Sequence, residues 1–220
     1  MSTVPQIKGY YESYWNTGKA TFSGDQQGYA ENFRNWMSSH LSNLPAGTPI
    51  LEVGCGDGSF TKELARYSPD ITAIDISESQ IQENARRFNG ITFRQHDVAE
   101  PFPFEDNSFG VIWCSEVLEH LFDPAFALRE MRRILKPGGK LLVTVPYHGY
   151  FKNVLIALFK FDEHYTPSNP HIRFYTKNTL GRITRQAGFD DVRMETCGMA
   201  KPLRDLFVPT NILLSGTKQP

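Results

Sequence analysis

Glu52-Val53-Gly54-Cys55-Gly56-Asp57-Gly58 is the segment of this chain best suited to chemistry. It follows an apolar run, Ile50-Leu51-Glu52-Val53, and opens a helical one. Glycines at alternate positions let a backbone turn tightly and approach a ligand without a Cβ in the way. A nicotinamide loop requires G-x-G-x-x-G, and here Ser59 occupies the place of the last glycine. The G-x-G-x-G form suits a ligand that lacks a pyrophosphate, with the loop packed along a nucleoside and an amino-acid chain. Glu52 agrees, since a carboxylate just before the glycines repels a pyrophosphate and suits an ammonium. The competing reading is a tight strand-to-helix turn with no ligand.

Two further acids fall where a nucleoside needs them. Asp75 ends the next apolar run, and a carboxylate there can accept from both ribose hydroxyls. Its alternative role is to face the dipole of a helix starting at Ser77. Asp97, in Gln95-His96-Asp97-Val98, can accept from an adenine amine while the Val98 amide faces a ring nitrogen. Its alternative is an ordinary Asx turn.

These residues need a scaffold, and the pattern supplies one. Short apolar runs alternate with helical stretches, which predicts βαβ units and a mostly parallel sheet. Strands are expected at 50–53, 71–76, 91–95, 109–114 and 140–145. Helices are expected at 60–67, from the Ser77 N-cap to Phe88, at 124–135 behind Pro124, and at 176–187 closed by Gly188. Pro137-Gly138-Gly139 reads as a turn. Residues 191–196 and 211–218 read as a closing antiparallel pair, which an all-parallel dinucleotide fold does not need.

Composition narrows the class. The chain has 220 residues, 40% of them hydrophobic and 21% charged, with a formal net charge of −1. That length fits one large domain. A near-neutral chain without a basic run gives no general attraction to nucleic acid. Three separated cysteines, Cys55, Cys114 and Cys197, form no CxxC pair and fit a reducing compartment. The start of the chain has no signal-type apolar region, and no apolar run reaches the ~18 residues of a membrane span. A cytoplasmic protein is the expectation.

The segments ILEVGCGDGSF, AIDIS, QHDVAEPFPFEDNSFGVIWCSEVLEH and RRILKPGGKLLVTVP, in that order, resemble the class I S-adenosylmethionine-dependent methyltransferases. The likeness runs from Ile50 through the last strand, and the ordered set is far more specific than any one piece. It implies a Rossmann-like α/β fold: a seven-stranded, mostly parallel sheet with a reversed last strand and helices on both faces. By position, it implies that Gly54, Cys55, Gly56 and Gly58 line S-adenosylmethionine and that Glu52 meets its amino group. Asp75 then holds the ribose, Ile76 lies against adenine, Asp97 and Val98 read the adenine edge, and Ser115 and Glu116 border the methionine portion. Gly110 departs from the pattern, which usually has an acid after the phenylalanine. The first 45 residues, aromatic and helical in tendency, are expected to form an N-terminal helical cap on a methyltransferase domain at 46–220, and the break in rhythm at 147–175 is expected to be a lid insertion.

Methyl transfer from a sulfonium needs an aligned nucleophile at ~3 Å and excluded water. An oxygen or nitrogen acceptor also benefits from a base, and histidine suits neutral pH. His120, just past the fourth strand, is the first candidate, with a loop-capping histidine as the competing reading. Tyr14, Trp15, His148, His171, Arg173 and Tyr175 are the candidate acceptor contacts, and His164 lies in the same insertion. No histidine pair has metal-ligand spacing on a helix, so no metal is expected. Residues 150–161 can form an amphipathic helix that touches a membrane weakly or packs on its own domain. A small-molecule acceptor, probed through a monomer or homodimer and without nucleic acid, is the resulting picture. A nicotinamide-dependent oxidoreductase and a noncatalytic nucleoside-binding relative are the alternatives.

Overall fold

The computed structural model describes residues 8–13, 27–166, 169–198, 205 and 208–219. Tyr14 and Trp15 therefore lie outside the described residues. Two helices precede the sheet, α1 at residues 8–13 and α2 at Gln27–Leu41. Ala30, Phe33, Met37 and Leu41 recur at helical spacing on α2 and are all buried.

Seven strands follow, with helices between them. They are β1 (Ile50–Val53), β2 (Ile71–Asp75), β3 (Thr92–Gln95), β4 (Phe109–Ser115), β5 (Leu135–Pro146), β6 (Asp190–Cys197) and β7 (Asn211–Thr217). The helices are α3 (Ser59–Leu64), α4 (Glu78–Arg87), α5 (Pro124–Ile134), α6 (Tyr150–Phe159), α7 (Phe161–His164) and α8 (Lys177–Gln186). The sheet order is β3-β2-β1-β4-β5-β7-β6. Strands β1 to β5 run parallel, and β7 pairs antiparallel with both β5 and β6. This is the Rossmann-like sheet with a reversed last strand that the sequence predicts.

Side-chain alternation divides the core between the two faces. Leu51, Val53, Ile112, Cys114, Leu141, Val143, Ile212 and Leu214 join one cluster with α5 and α8 residues. Ile50, Val111, Trp113, Leu142 and Leu213 face the other way, onto Phe33, Trp36 and Met37 of α2. The N-terminal region thus supplies the second layer on that face.

Local chemistry sets the helix starts. The Ser77 side chain accepts from the Gln80 amide, and Asp123 accepts from Phe126 with Pro124 in the first turn. Thr176 and Thr179 form a capping box at α8. Gly110, the departure noted above, sits where an added Cβ would come within 2.5 Å of Thr48 Cγ2. The close approach of that loop accounts for the missing side chain.

Three expectations need correction. The Pro137-Gly138-Gly139 turn lies inside β5: Gly138 takes φ +76°, yet its amide still donates to Lys218 O at 2.7 Å. The positive φ bends the strand without ending its pairing. The first post-loop helix stops at Leu64, because Arg66 and Tyr67 tighten to bonds on Glu63 O and Leu64 O. The 150–161 segment is two helices and not one, and α6 has no fully buried residue, although Leu155 and Ile156 are half-buried and Asn153 bonds His148.

Candidate active site

The strand order reverses between β1 and β4, and the crevice at the carboxyl ends there is where open α/β sheets hold ligands. The glycine loop lies in it. Gly54, Gly56 and Gly58 all take positive φ, at 77°, 47° and 76°. An added Cβ would stand 2.3 Å from Val117 Cγ2 at Gly54 and 2.6 Å from Phe88 Cε2 at Gly58. The Gly54 and Cys55 amides donate to Ile74 O, so the loop hangs from β2.

Asp75 braces the loop from that strand. Its Oδ2 accepts from the Gly56 amide at 2.9 Å and its Oδ1 from the Ser77 amide at 2.9 Å. Burial raises the Asp75 carboxyl, and these amides pull against that rise. Asn84 closes the other side by donating to Gly56 O at 2.7 Å. Glu52 is also buried, with the Thr61 hydroxyl donating to it. Burial pushes Glu52 up to about 8, and the neighbouring Asp75 and Asp57 add to the rise. Two buried acids flank the loop, and the charged groups acting on Glu52 are themselves acids.

The adenine-edge candidates sit differently. Asp97 Oδ1 accepts from the Ala99 amide at 2.9 Å, the Asx turn weighed above, and its side chain is half-buried. Val98 is buried in the core cluster. Ile76 is half-buried, and its carbonyl accepts from Gln95.

Beyond β4 the chain turns through Glu116, a non-glycine residue at φ +55°. Thr144 donates to Glu116 Oε1 at 2.8 Å and also bonds the Ser115 hydroxyl at 2.8 Å. Asn211 Nδ2 reaches both Glu116 oxygens at 3.1 Å. Burial nevertheless pushes Glu116 up to about 7.

His120 follows in a short 3₁₀ turn, Leu118–His120. Its Nδ1 lies 3.2 Å from Pro170 O. A carbonyl only accepts, so Nδ1 carries the proton and the neutral ring keeps its lone pair on Nε2. Burial lowers the His120 pKa, which favours that neutral form. The His171 ring stands against it, with centroids 4.9 Å apart. His148 is buried, bonds Asn153 through Nδ1, and lies 5.3 Å from the His164 ring.

Two other candidate acceptor contacts bond the chain's own backbone. Tyr175 is buried in the core, its hydroxyl donating to Leu118 O at 3.0 Å. Arg173 is exposed and donates to the Phe122 carbonyl. Both tie the insertion to the turn after β4.

Sequence reasoning missed several members of the site. Glu119 is 1% exposed, and neither carboxylate oxygen has a hydrogen bond among the described residues. His120 Nε2 is 3.8 Å from its Oε1. Ligand atoms of Glu119, His120 and His171 all lie within 4.8 Å of one another, close enough to hold one cation. The pairing escapes a search for helical spacing because His171 arrives from the insertion. Asn84, Thr144 and Asn211 were likewise invisible, since polar residues on separate elements carry no local signal. Glu12 was also unremarked, and its contacts are described below.

Residues 51–143 match the family model described as "Methyltransferase domain". Over that domain the chain is similar to the S-adenosylmethionine-dependent methyltransferases. Over 115 residues it is 31% identical to the ubiquinone biosynthesis O-methyltransferase of Acinetobacter baylyi, covering 50% of this chain and 48% of that one. A Mycolicibacterium smegmatis protein named "Probable S-adenosylmethionine-dependent methyltransferase" is 30% identical over 181 residues, covering 79% of this chain and 65% of that one. The chain spans about half to two-thirds of the length of these relatives. Phosphoethanolamine N-methyltransferase 2 of Haemonchus contortus, solved with S-adenosyl-L-methionine, shares the fold at TM-score 0.69 and 16% identity. That match covers 86% of this chain and 53% of that one.

Proposed function

We propose that this chain moves a methyl group from S-adenosylmethionine to a small-molecule acceptor, with an oxygen atom as nucleophile. One observation carries the reading: buried Glu52 and Asp75 flank an alternating-glycine cradle at the switch point of the sheet. The cradle fits the cofactor, because bare glycines keep its backbone open to a ligand and the charged groups acting on Glu52 among the described residues are acids. In this reading Glu52 takes the cofactor's ammonium, Asp75 the ribose hydroxyls, and Asp97 with Val98 the adenine edge. Ser115 and Glu116 border the amino-acid portion. The cofactor supplies the electrophilic methyl.

The remaining steps belong to the chain. His120, neutral with Nε2 bare, accepts the acceptor's hydroxyl proton as the methyl is taken up. His148, His171 and the residues around them orient the acceptor and exclude water. The oxygen nucleophile draws support from the likeness to O-methyltransferases. A cytoplasmic monomer or homodimer without nucleic acid remains part of the proposal. Weak membrane contact through 150–161 is supported by exposed Tyr150, Phe151, Leu158, Phe159 and Phe161, although among the described residues no helix is long and apolar enough to cross a membrane.

Calorimetry with S-adenosylmethionine and S-adenosylhomocysteine tests the core of this reading, and silence from both overturns it. A fluorescence titration with reduced nicotinamide cofactor separates the oxidoreductase alternative. Cofactor binding without transfer to any acceptor in a broad screen would favour the noncatalytic relative.

A second reading is favoured by the Glu119 carboxylate, which has no hydrogen bond among the described residues and lies beside His120 and His171. Glu119, His120 and His171 would hold a divalent cation there, and it would supply a Lewis acid for the acceptor oxygen in place of a free histidine base. Turnover that falls with a chelator and returns with added Mn²⁺ or Mg²⁺ supports it; turnover indifferent to chelator removes it.

A further inference from the structure

The N-terminal helix makes contacts that neither the fold nor the catalytic reading requires. Glu12 of α1 reaches the start of α4, more than sixty residues away in sequence. Its Oε1 accepts from the Glu78 amide at 2.6 Å. Its Oε2 takes the Ser77 hydroxyl at 3.0 Å, the Ser79 hydroxyl at 2.5 Å and the Ser79 amide at 3.4 Å. Helices leave their first amides without internal partners. In α4 the Gln80 amide is met by the local cap, Ser77. The Glu78 and Ser79 amides are met by Glu12, which also sets a negative charge at the positive end of the helix. Lys8 adds an ion pair to Glu78 at 3.3 Å.

The other anchor lies across the crevice. The Tyr11 ring stands edge-on to His120, with centroids 5.8 Å apart. The start of α4 follows the carboxyl end of β2, and His120 follows the carboxyl end of β4. Strand β1 lies between those two in the sheet. A segment pinned at both points therefore crosses the end of β1, where the glycine loop sits. Ser77 ties the strap to the site directly: its amide donates to Asp75 and its hydroxyl to Glu12.

We infer that α1 is a strap over the nucleoside end of the site and that Glu12 is its latch, a positioning residue whose release sets how fast the spent cofactor leaves. This rests on the cofactor reading above. The latch is a set of charge-assisted hydrogen bonds and is reversible, as a strap over an exchanging ligand must be. Glu12 touches neither the ligand nor a reacting atom in this scheme. It acts by holding α1 down on Ser77, Glu78 and Ser79.

The test follows dissociation of S-adenosylhomocysteine by stopped-flow displacement in the unmodified protein and in Glu12→Ala, Glu12→Gln and Lys8→Ala. Glu12→Ala should raise the dissociation rate about ten-fold, the scale of losing charge-assisted bonds. Glu12→Gln, which keeps one acceptor oxygen, should fall between, and Lys8→Ala should change it less than about two-fold because that pair is exposed. Hydrogen exchange at the Glu78 and Ser79 amides gives a readout independent of ligand. Both should lose protection in Glu12→Ala while the melting temperature holds within a few degrees. Lost protection with an unchanged dissociation rate leaves Glu12 a mere helix cap and overturns the latch. If the unmodified protein binds no S-adenosylhomocysteine, the cofactor reading fails first and the latch with it; the exchange data tell the two failures apart.

Discussion

Asn211 on the reversed last strand donates from one amide nitrogen to both oxygens of Glu116 at the end of β4, each at 3.1 Å. The antiparallel strand thereby reaches across β5 to steady an acid at the crevice. Glu116 holds a left-handed conformation and is half-buried, so it depends on such partners. Among the described residues, Asn211→Leu leaves it the Thr144 hydroxyl as hydrogen-bond partner. The variant should lose about 1.5–3 kcal/mol of stability, the scale of hydrogen bonds to a charged group. Urea unfolding measures this, and an unchanged midpoint would show that water replaces Asn211 freely.

Asp75 ties Gly56 to Ser77 through its two oxygens and is the proposed ribose acceptor. Asp75→Ala should weaken S-adenosylmethionine binding by about 1.5–3 kcal/mol. Calorimetry reads the loss directly, and circular dichroism checks that the fold persists. Wild-type affinity in the variant would place the ribose elsewhere.

Gly54 combines a positive φ with a side chain pressed against it. Gly54→Ala would bring the new methyl within 2.3 Å of Val117 Cγ2. Overpacking of this kind costs about 1–3 kcal/mol, and the left-handed backbone adds about 1 kcal/mol for alanine. Gly54→Ala with Val117→Ala relieves the contact and leaves the backbone strain. The double variant should therefore regain part of the lost stability in thermal unfolding; no recovery would mean the strain alone governs the site.

Burial pushes His148 down to about 4, against roughly 6.5 in an unfolded chain. Between those values the unfolded chain holds a proton that the folded chain does not. Stability from this group is thus present above about pH 6.5 and is lost as the pH falls toward 4. His171, also pushed down to about 4, adds a slope of the same sign. His148→Gln should flatten the stability profile across that window, measured by urea unfolding from pH 4 to 7. A profile as steep as that of the parent would assign the slope to other groups.

His120 is placed to act on a proton and lies outside the glycine cradle. His120→Ala should lower turnover far more than cofactor affinity, by about 10²–10⁴-fold for loss of a general base. Turnover and calorimetry on one preparation separate the two effects. Full activity in the variant would remove His120 from the reaction.

Much of this was legible in the chain itself. Glycines at 54, 56 and 58 had to adopt backbone shapes that side chains resist, and their spacing set them apart from a pyrophosphate loop. Short apolar runs set the strands, and Ser77, Pro124 and Thr176 marked helix starts, because apolar runs and helix caps are local effects. Closure of the sheet by an antiparallel pair could also be read, since the connecting segment between the last two strands is short.

What the tertiary structure alone decided are the encounters between distant segments. No local pattern joins Asn211 to Glu116, Glu12 to the start of α4, or His171 to Glu119 and His120. Nor does spacing tell that Tyr175 turns inward or that 150–161 breaks into two helices. Burial is a property of the whole packed chain, and it is burial that sets the charge states of Glu52, Glu116 and the histidines. Sequence fixes the elements through short-range sterics and hydrogen bonding, whereas the site's electrostatics arise only once those elements exclude water together.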